Sequence, residues 1–522
     1  MCGPAVLASI DRRPYVVFRM SVAAAQDMTC YNLIAPAKIP ALRVTSHRVR
    51  MKTDAIVIGS GPNGLAAAIT LADAGHSVTV YEAENAIGGG LRSAQLTLPG
   101  FVHDVCAAVH PMAVTSQFFR RSNLEKYGLR WIYPEAELAH PFDDGTAVLV
   151  TRSLAETSAL FGPDASRVRQ LLDPLVTHWD ELSDDILRPA RMPRHPWLTS
   201  RFGWNAIFPA DSLARRKFSS PKTRAVFAGL AAHSEMPLTA WGSAAFGILL
   251  WTTCHSVGWP IAAGGSQSIA NALAQHLRHL GGTIVAGTPI ESLSDLPESS
   301  IILCDLTPRQ LLKIGADRLW PVDRPKLQAY QYGPGAFKID WSLDAPIPWN
   351  APECGKAGTV HLGGSLDEIV QSERAAWSDA PSEKPFVLLA QPSLFDTSRA
   401  PRRKHTAWAY CHVPHASTAD MVDRIEQQVE RFARGFRSRV IGRAVMSPAA
   451  LEAHNANLIG GDISGGAMSL GRLTRRSTSR SYRTPIPNVF FCSASTPPGP
   501  GVHGLCGYFA AKFASAKSFR KR

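Results

Sequence analysis

Three glycines around residue 60 have the spacing of a turn that binds a dinucleotide. Gly59, Gly61 and Gly64 directly follow the apolar run of residues 54–58, which predicts a buried parallel strand. Gly59 allows a tight turn, Gly61 lets the backbone approach a pyrophosphate, and Gly64 lets the next helix pack closely on the strand. Pro62 falls near the first helical position, where its missing N–H costs nothing. The chemistry predicted for this turn is the binding of phosphate groups.

The elements on either side of this turn place an acid where a nucleotide ribose would lie. A helix is predicted over residues 62–74 and a second strand over residues 77–83, which contains Glu82. The N-terminus of the helix offers free N–H groups and partial positive charge to phosphate. Seventeen residues separate Gly64 from Glu82, a spacing that lets a carboxylate accept hydrogen bonds from ribose hydroxyls. The same carboxylate disfavours a ribose 2′-phosphate, and therefore NADP.

A second glycine run indicates FAD rather than NAD. Residues 88–90 are all glycine, and Arg92 and Ser93 follow them. This run resembles the motif that follows the ribose acid in FAD proteins of the glutathione-reductase-like superfamily. The motif brings backbone N–H groups and a guanidinium close to the pyrophosphate charge. Ser93 is in register with the motif, whereas the usual arginine position is Gly90 and Arg92 comes two residues later.

The C-terminal end of the chain resembles the other half of a flavin site. A strand is predicted over residues 489–492, followed by a Gly/Pro turn and a helix over residues 502–516. The pattern resembles the C-terminal FAD motif of the phytoene-desaturase and amine-oxidase families, in which a helix N-terminus faces the pyrimidine edge of the flavin. Pro500 stands where a third glycine is common, so one N–H donor is missing.

With both ends matched, the chain from Met51 to the C-terminus resembles the FAD-dependent phytoene desaturase/dehydrogenase-like oxidoreductases, in the branch of pyridine nucleotide-disulfide oxidoreductase domain proteins. Residues 96–112, 258–273, 333–349, 405–414 and 457–466 also resemble this family. The resemblance implies an α/β fold, with a glutathione-reductase-like FAD-binding Rossmann-type domain and an inserted α+β substrate domain. The residues that it predicts around FAD are Gly59, Gly61, Pro62, Asn63, Gly64, Glu82, Ala83, Gly89, Gly90, Arg92, Ser93, Ile290, Gly499, Gly501, Val502, His503 and Gly504.

The predicted domain organisation follows from this resemblance and from the pattern of elements. A hairpin is predicted over residues 137–151, and most of 153–255 is predicted to be helical. Helices are predicted over 266–280 and 417–436, the second with Met421, Ile425, Val429 and Phe432 on its core face.

The predicted FAD domain is discontinuous. It comprises residues 51–150, 256–326 and 456–522, and the last of these stretches carries the helix that faces the flavin. The inserted substrate domain comprises a mostly helical stretch, residues 151–255, and a second stretch, residues 327–455. Residues 1–50 are predicted to be a disordered leader or the product of a mis-assigned start.

Composition and charge exclude several classes of protein. Apolar residues make up 45% of the 522 residues and charged residues 19%, which indicates a chain with a sizeable core. The net charge is +13, but the first 50 residues and the last eleven contribute +5 each, so the body of the chain is close to neutral. A nucleic-acid partner is therefore not expected. None of the nine cysteines forms a CxxC pair, so neither disulfide redox chemistry nor a metal site is expected.

Two segments bear on membranes. Residues 244–265 form the longest apolar stretch, but His255, Pro260 and several glycines interrupt it, so we expect a buried helix and a loop. Residues 186–224 combine Arg and Lys with Trp and Phe. This segment is either a face that docks on a membrane or a solvated helical surface, and the sequence favours the surface. The expected location is the cytoplasm, with peripheral membrane contact as an option, or the mitochondrial matrix if the source is eukaryotic.

The chemistry implied by the resemblance is removal of a hydride or two electrons from an apolar, isoprenoid or lipid-like small molecule. FAD would pass the electrons to oxygen, a quinone or another small acceptor, because no second GxGxxG turn is present for NAD(P)H. His103, Asp104, His110 and His503 lie near the flavin by motif position and are candidate proton acceptors. The substrate, the electron acceptor and the oligomeric state are not predicted.

Two alternatives share this fold. One is a flavin-dependent isomerase or an amine oxidase. The other is a prenyl- or lipid-binding protein of the Rab GDP-dissociation-inhibitor type, which holds its partner without flavin. The intact glycine turn and Glu82 favour a flavin protein over the second alternative.

Overall fold

Two β-sheets organise the residues that the structure, a computed structural model, describes: 53–469, 471 and 482–518. The predicted leader, residues 1–50, lies outside the described residues. The strands are β1 (Ala55–Ile58), β2 (Val78–Tyr81), β3 (Ser93–Ala94), β4 (His103–Asp104), β5 (Trp131–Ile132), β6 (Ala136–Pro141), β7 (Ala147–Val150), β8 (Ile261–Ala262), β9 (Thr283–Val285), β10 (Ile301–Cys304), β11 (Gly335–Leu343), β12 (Ala357–Leu362), β13 (Val387–Ala390), β14 (His405–Val413), β15 (Val440–Met446) and β16 (Val489–Phe491).

The α-helices lie between and after these strands. They are α1 (Pro62–Asp73), α2 (Pro111–Thr115), α3 (Gln117–Ser122), α4 (Leu154–Ala159), α5 (Ala165–Thr177), α6 (Trp179–Ile186), α7 (Pro196–Ala206), α8 (Ala210–Lys217), α9 (Pro221–Ala232), α10 (Ala244–Ser256), α11 (Gln267–His279), α12 (Pro308–Ile314), α13 (Arg324–Gln328), α14 (Leu366–Ala375), α15 (Val422–Phe432), α16 (Pro448–His454) and α17 (Leu505–Ser518).

The first sheet has five parallel strands in the order β16-β10-β1-β2-β9. Every residue of β1 and β10 is buried, as expected for strands covered on both faces. Helices α1, α11 and α17 pack in the core on one side of this sheet. The predicted Rossmann-type α/β class is therefore confirmed.

The second sheet has seven strands in the order β15-β11-β14-β13-β12-β6-β7. Its pairs are antiparallel except for β6 with β12, and β6 and β7 form the predicted hairpin. One face packs against α15, where Met421, Ile425, Val429 and Phe432 are all buried, so the predicted core stripe is confirmed. The opposite face packs against the helical segment that contains α4 to α10.

The apolar stretch 244–265 is a buried helix and a loop, as predicted. The helix, α10, has thirteen residues and packs in the core of the helical segment. Among the described residues, no helix is both long and apolar enough to cross a bilayer.

Strand β9 ends at Val285, because the chain turns there and the N–H groups of Gly287 and Thr288 donate to carbonyls of the loop after β2. One predicted boundary was wrong, for a reason that lies in the backbone. The last helix begins at Leu505 rather than at residue 502. Gly501 and Gly504 have φ values of +130° and +65°, which an α-helix does not accommodate.

Candidate active site

The first glycine turn is packed too tightly for any side chain. A Cβ on Gly61 would lie 2.7 Å from Oδ2 of Asp305, and a Cβ on Gly64 would overlap the carbonyl oxygen of Gly59. Gly61 directly precedes α1, where the N–H groups of the first turn are free of intrahelical partners. The turn thus brings a helix N-terminus, which favours negative charge, to the carboxyl end of β1.

Glu82 lies at the end of β2, beside this turn, as predicted. Its Oε2 accepts hydrogen bonds from the backbone N–H of Ser60 at 2.8 Å and from the hydroxyl of Ser60 at 2.5 Å. Its Oε1 accepts the N–H of Glu84 at 3.0 Å and lies 3.8 Å from Nη2 of Arg92. The carboxylate is therefore fixed at the edge of the sheet, next to the exposed Ala83.

The adenine side of the predicted site is a loop that follows β9. The N–H of Thr288 donates to the carbonyl of Glu82 at 2.8 Å, which holds this loop against the end of β2. Ile290 is half-buried two residues further on and packs against the core. The contact of its backbone with adenine stays a prediction.

The second glycine run faces the first. A Cβ on Gly89 would lie 3.1 Å from Cα of Gly61, so the two backbones approach each other closely. The buried Nε of Arg92 and Oδ1 of Asn63 have no hydrogen-bond partner among the described residues. Two facing backbones and an unpaired guanidinium nitrogen fit a diphosphate, so the residues present fit FAD. The hydroxyl of the adjoining Ser93 instead donates a hydrogen bond to Asp104 at 2.7 Å, which stabilises the segment that carries the second glycine run.

Asp305 belongs to this site, although it was not predicted from the sequence. It directly follows β10, and its Oδ2 accepts the N–H of Gly64 at 2.9 Å. Burial raises the pKa of Asp305 to about 7, against the hydrogen bond from Gly64, which lowers it. The available signal was an acid at the end of an apolar strand. However, only the pairing of β10 with β1 shows that it reaches the glycine turn.

The C-terminal glycine turn is held next to the N-terminal one by helix packing. Helix α17 crosses α1 so closely that a Cβ on Gly507 would overlap the carbonyl oxygen of Asn63. The turn residues Gly499 and Gly501 have φ values of +116° and +130°. The two glycine turns, about 440 residues apart in sequence, therefore share one end of the five-stranded sheet.

Both ring nitrogens of His503 contact the backbone of this turn. Nδ1 accepts the N–H of Leu505 at 3.0 Å, and Nε2 lies 3.2 Å from the carbonyl oxygen of Gly499. Burial lowers the pKa of His503 to about 4, so the ring is neutral at physiological pH. Val502 and Gly504 flank it, half-buried and buried respectively.

The other candidate proton acceptors lie in a buried network. Asp104 accepts Nη2 of Arg399 at 2.7 Å and the N–H of Ser266 at 2.7 Å. Burial alone would raise the pKa of Asp104, but Arg399 and these hydrogen bonds lower it below its usual value. Asp104 is thus held as a carboxylate, fully engaged with protein groups. Its role in proton transfer stays a prediction.

His103 and His110 differ in their partners. Nε2 of His103 lies 2.8 Å from the hydroxyl of Thr97, and its Nδ1 lies 3.4 Å from Oδ1 of Asp340. Nε2 of His110 lies 2.9 Å from the hydroxyl of Ser266, and burial lowers the pKa of His110 to about 4. Of these two histidines, His103 lies beside an acidic side chain, whereas His110 contacts a hydroxyl. A catalytic role of either histidine stays a prediction.

A row of polar and aromatic side chains on the seven-stranded sheet was not predicted. Lys338 and Asp340 alternate on β11 and form a buried ion pair. On the adjacent β14, Trp408 and Tyr410 are stacked at 5.9 Å, and Nζ of Lys338 lies 6.0 Å from the Trp408 ring. This sheet face is opposite the face covered by α15. It packs against residues 108 and 109, close to the second glycine run.

A family model and several solved structures are similar to this chain. A family model described as an NAD(P)-binding Rossmann-like domain matches residues 57–122. The solved structure of cyclohexylamine oxidase from Brevibacterium oxydans has the same fold, with a TM-score of 0.55 at 15% identity, covering 90% of this chain and 100% of that chain. The fold and the paired glycine turns define an FAD-dependent oxidoreductase, so the predicted enzyme class and cofactor are confirmed.

Curated relatives are similar along most of the chain. Pyridine nucleotide-disulfide oxidoreductase domain-containing protein 2 of Mus musculus is 24% identical over 549 residues, which cover 89% of this chain and 93% of that protein. The 4,4'-diapophytoene desaturase (4,4'-diaponeurosporene-forming) of Staphylococcus aureus is 22% identical over 522 residues, covering 85% and 95%. The predicted resemblance to FAD-dependent phytoene desaturase-like oxidoreductases is confirmed.

Proposed function

We propose that the chain is a flavin-dependent dehydrogenase or desaturase that removes a hydride or two electrons from an apolar, isoprenoid or lipid-like substrate. The observation that carries this proposal is that the two glycine turns, remote in sequence, meet at one end of the five-stranded sheet, as the two halves of a flavin site would. Oxygen, a quinone or another small molecule would accept the electrons. Two similar proteins named as carotenoid desaturases support the substrate class.

The chain's own residues would hold the cofactor in three ways. The first turn of α1 and the backbone of Gly61 and Gly89 would bind the diphosphate, with Arg92 as a cationic donor. Glu82 would bind the ribose hydroxyls. The C-terminal turn, which His503 braces, would lie at the flavin ring. When bound, FAD supplies the two-electron chemistry.

We propose that the substrate binds between the seven-stranded sheet and the helical segment, among half-buried apolar side chains. Val109, Met112, Leu249 and Phe142 are half-buried and pack on the core between the sheet and the helical segment. Such a lining binds an apolar molecule by burying its surface, at about 25 cal/mol per Å². It also excludes water from the neighbourhood of the flavin, which protects a reduced flavin from side reactions.

Anaerobic reduction of the holoprotein tests this proposal. The purified yellow protein would be mixed with isoprenoid and lipid extracts without oxygen, and bleaching of the flavin band near ~450 nm would be followed. Oxygen and a soluble quinone would then be added as acceptors. Bleaching by an extract fraction, reversed by an acceptor, supports the proposal. A flavin that photoreduces normally but that no apolar fraction reduces would contradict the proposed substrate class.

An amine oxidase is the second candidate, and the likeness to cyclohexylamine oxidase favours it at the level of fold. The same assay separates the candidates, because an amine oxidase would be reduced by primary or secondary amines and would release an aldehyde or ketone. A flavin-dependent isomerase would instead convert its substrate without consuming an acceptor.

We also propose that the enzyme contacts membranes peripherally, in the cytoplasm, through the surface around α7. Trp197 and Trp204 of α7 are 66% and 75% exposed, and Met192 just before this helix is 88% exposed. Arg201 stacks on Trp197, with its guanidinium carbon 5.6 Å from the ring. Exposed tryptophans interleaved with arginines match a bilayer interface that carries anionic lipid.

A further inference from the structure

A buried group of acids, an imidazole and a phenol lies where the sheet, the helical segment and residues 462–466 meet. We define this polar cluster as Tyr410, His412, Glu373, Glu235 and Ser464. His412 Nδ1 lies 2.8 Å from Oε2 of Glu373, and both side chains are 1% exposed. The hydroxyl of Ser464 donates to Oε1 of Glu235 at 2.8 Å. The rings of Tyr410 and His412 are 5.6 Å apart in an edge-to-face arrangement.

The fold does not need these groups for packing. A buried ion pair stabilises a protein little compared with apolar side chains of the same volume, because both charges lose their hydration. Glu235 adds a backbone cost, since it adopts φ +54° without being glycine. Buried ionisable groups in a strained backbone are found more often at functional sites than elsewhere.

Two buried atoms of the polar cluster are unsatisfied in their hydrogen bonding. Nε2 of His412 and Oε1 of Glu373 are buried and have no hydrogen-bond partner among the described residues. Tyr410 is only half-buried, although the strand residues on either side of it are buried and β14 is the third strand of seven. Its side chain lies on the sheet face that the helical segment covers, and it packs against the same core as Val109 and Met112.

The charges in the cluster favour a neutral ligand with an oxygen acceptor. Burial alone would lower the pKa of His412, but the charge of Glu373 and its hydrogen bond raise it to about 9. Burial raises the pKa of Glu235 to about 8, against the charge of His412. The cluster thus offers hydroxyl groups and the N–H groups of His412 as donors to an oxygen acceptor.

Two parts of the chain connect the polar cluster with the proposed flavin site. Trp408, Tyr410 and His412 alternate along one face of β14, so about 13 Å separates the first from the last. Trp408 packs on Ala108, near the second glycine run. On another side, the hydroxyl of Ser495, which follows β16, donates to the carbonyl of Gly465 at 2.7 Å. The cluster is therefore connected to the proposed flavin site along β14 and through the segment that follows β16.

We propose that Tyr410 and the His412–Glu373 pair bind a hydroxyl or carbonyl oxygen of the substrate, so that the substrate is an oxygenated isoprenoid or lipid rather than a pure hydrocarbon. This inference rests on the proposed function and specifies its substrate class. The oxygenated end would lie at the polar cluster, and the apolar chain would extend along Trp408 toward the flavin. The cluster then determines which C–H bond lies at the flavin ring.

Ligand binding to the intact holoenzyme tests this inference. The probes are geranylgeraniol, geranylgeranial and an isoprenoid hydrocarbon of the same length, each titrated while the flavin absorbance is recorded. We expect the two oxygenated probes to bind about tenfold more tightly than the hydrocarbon, the effect of one buried hydrogen bond. Tyr410→Phe keeps the stacking on Trp408 and should abolish that preference while leaving hydrocarbon binding within about twofold.

Two further variants keep the test decisive. Glu373→Gln keeps a hydrogen bond to His412 but removes its charge, and should also reduce the preference for oxygenated probes. Tyr133→Phe removes a hydroxyl from a side chain that is 50% exposed, and should change nothing. Equal binding of all probes, an unchanged preference in Tyr410→Phe, or no spectral change with any oxygenated probe would overturn the inference. The flavin content of each variant shows separately whether the proposed flavin enzyme is intact.

Discussion

At the scale of single residues, the site depends on the absence of side chains at the glycines and on the carboxyl groups of Glu82 and Asp305. Gly64 has no room for a methyl group, because its Cα faces the backbone of Gly59 rather than a side chain that could move. Glu82 and Asp305 place two carboxyl groups beside this turn, where they accept the N–H groups of Ser60 and Gly64. In the proposed site, Glu82 would also bind a ribose hydroxyl.

Substitution of Gly64 should remove the cofactor. In Gly64→Ala the new methyl group overlaps the carbonyl of Gly59, so the turn must open and FAD should bind at least about a hundredfold more weakly. Gly203→Ala, at a position with nothing within 4 Å of the new Cβ, is the matched control. The flavin-to-protein ratio after desalting measures the effect. Full occupancy in Gly64→Ala would contradict the assignment of this turn.

The charge of Glu82 should determine affinity rather than reduction chemistry. Glu82→Ala removes a charged acceptor for the ribose, a loss of about 1.5–3 kcal/mol, so the Kd for FAD should rise roughly tenfold to a hundredfold. The rate of photoreduction of the bound flavin should stay the same. Fluorescence titration of the apoprotein with FAD gives the Kd. A variant with the affinity of the wild type would show that Glu82 lies outside the cofactor site.

Asp305 should make stability depend on pH. Its pKa is raised by burial from 3.8 to about 7, so the stability gained from its protonated form is fully present below 3.8 and is lost as the pH rises through 7. Asp305→Asn keeps an acceptor for Gly64 N–H without the charge. The difference in Tm between this variant and the wild type should grow in favour of the variant from about pH 4 to 7 and then level off. A constant difference would contradict the buried-carboxyl account.

At the scale of elements, the packing of α17 on α1 joins the two halves of the flavin site. Gly507→Val should force the helices apart, because a side chain there meets the carbonyl of Asn63. We expect a loss of at least about 2 kcal/mol of stability, together with loss of flavin. Ala516→Leu, at an exposed position of the same helix, is the control. Calorimetry and flavin content measure the two effects. A variant that loses stability but retains flavin would show that the packing of α17 on α1 is not needed for FAD binding.

Much of this architecture could be predicted from the sequence, because glycine turns and apolar periodicity are local signals. The βαβ unit from β1 to β2, the helical segment and the core stripe of α15 were predicted correctly. Asp305 was missed, because its neighbours are set by the pairing of β10 with β1, more than 240 residues apart. The polar face of β11 was also missed, since alternating Lys338 and Asp340 resemble a strand that faces solvent. Here the helical segment and residues 108 and 109 cover that face.

At the scale of the whole molecule, the exposed tryptophans of α7 lie on the helical segment that packs on the seven-stranded sheet. With the proposed membrane contact there, a substrate leaving a bilayer would enter the protein through this segment. This arrangement joins the peripheral-membrane proposal to the substrate proposal, because an apolar substrate has low solubility in water.

Flotation with liposomes tests the membrane contact. The holoenzyme should float with vesicles that contain anionic lipid at low salt and should stay at the bottom with neutral vesicles or at high salt. The double variant Trp197→Ser/Trp204→Ser should lose flotation. Trp320→Ser, which removes a tryptophan of similar exposure (72%) elsewhere, should keep it. Failure of the wild type to float at low salt would eliminate the membrane proposal.

The visible absorbance spectrum of the freshly purified protein tests the central claim most directly. If the two glycine turns bind one FAD, the wild-type protein has a flavin band near ~450 nm and releases about one FAD per chain on denaturation. Both Gly64→Ala and Gly507→Val should lose this band. Gly64 lies in the first glycine turn and Gly507 lies in the helix that holds the second turn against it, so both variants should disrupt the same flavin site. A colourless protein that stays colourless after incubation with excess FAD would contradict the account.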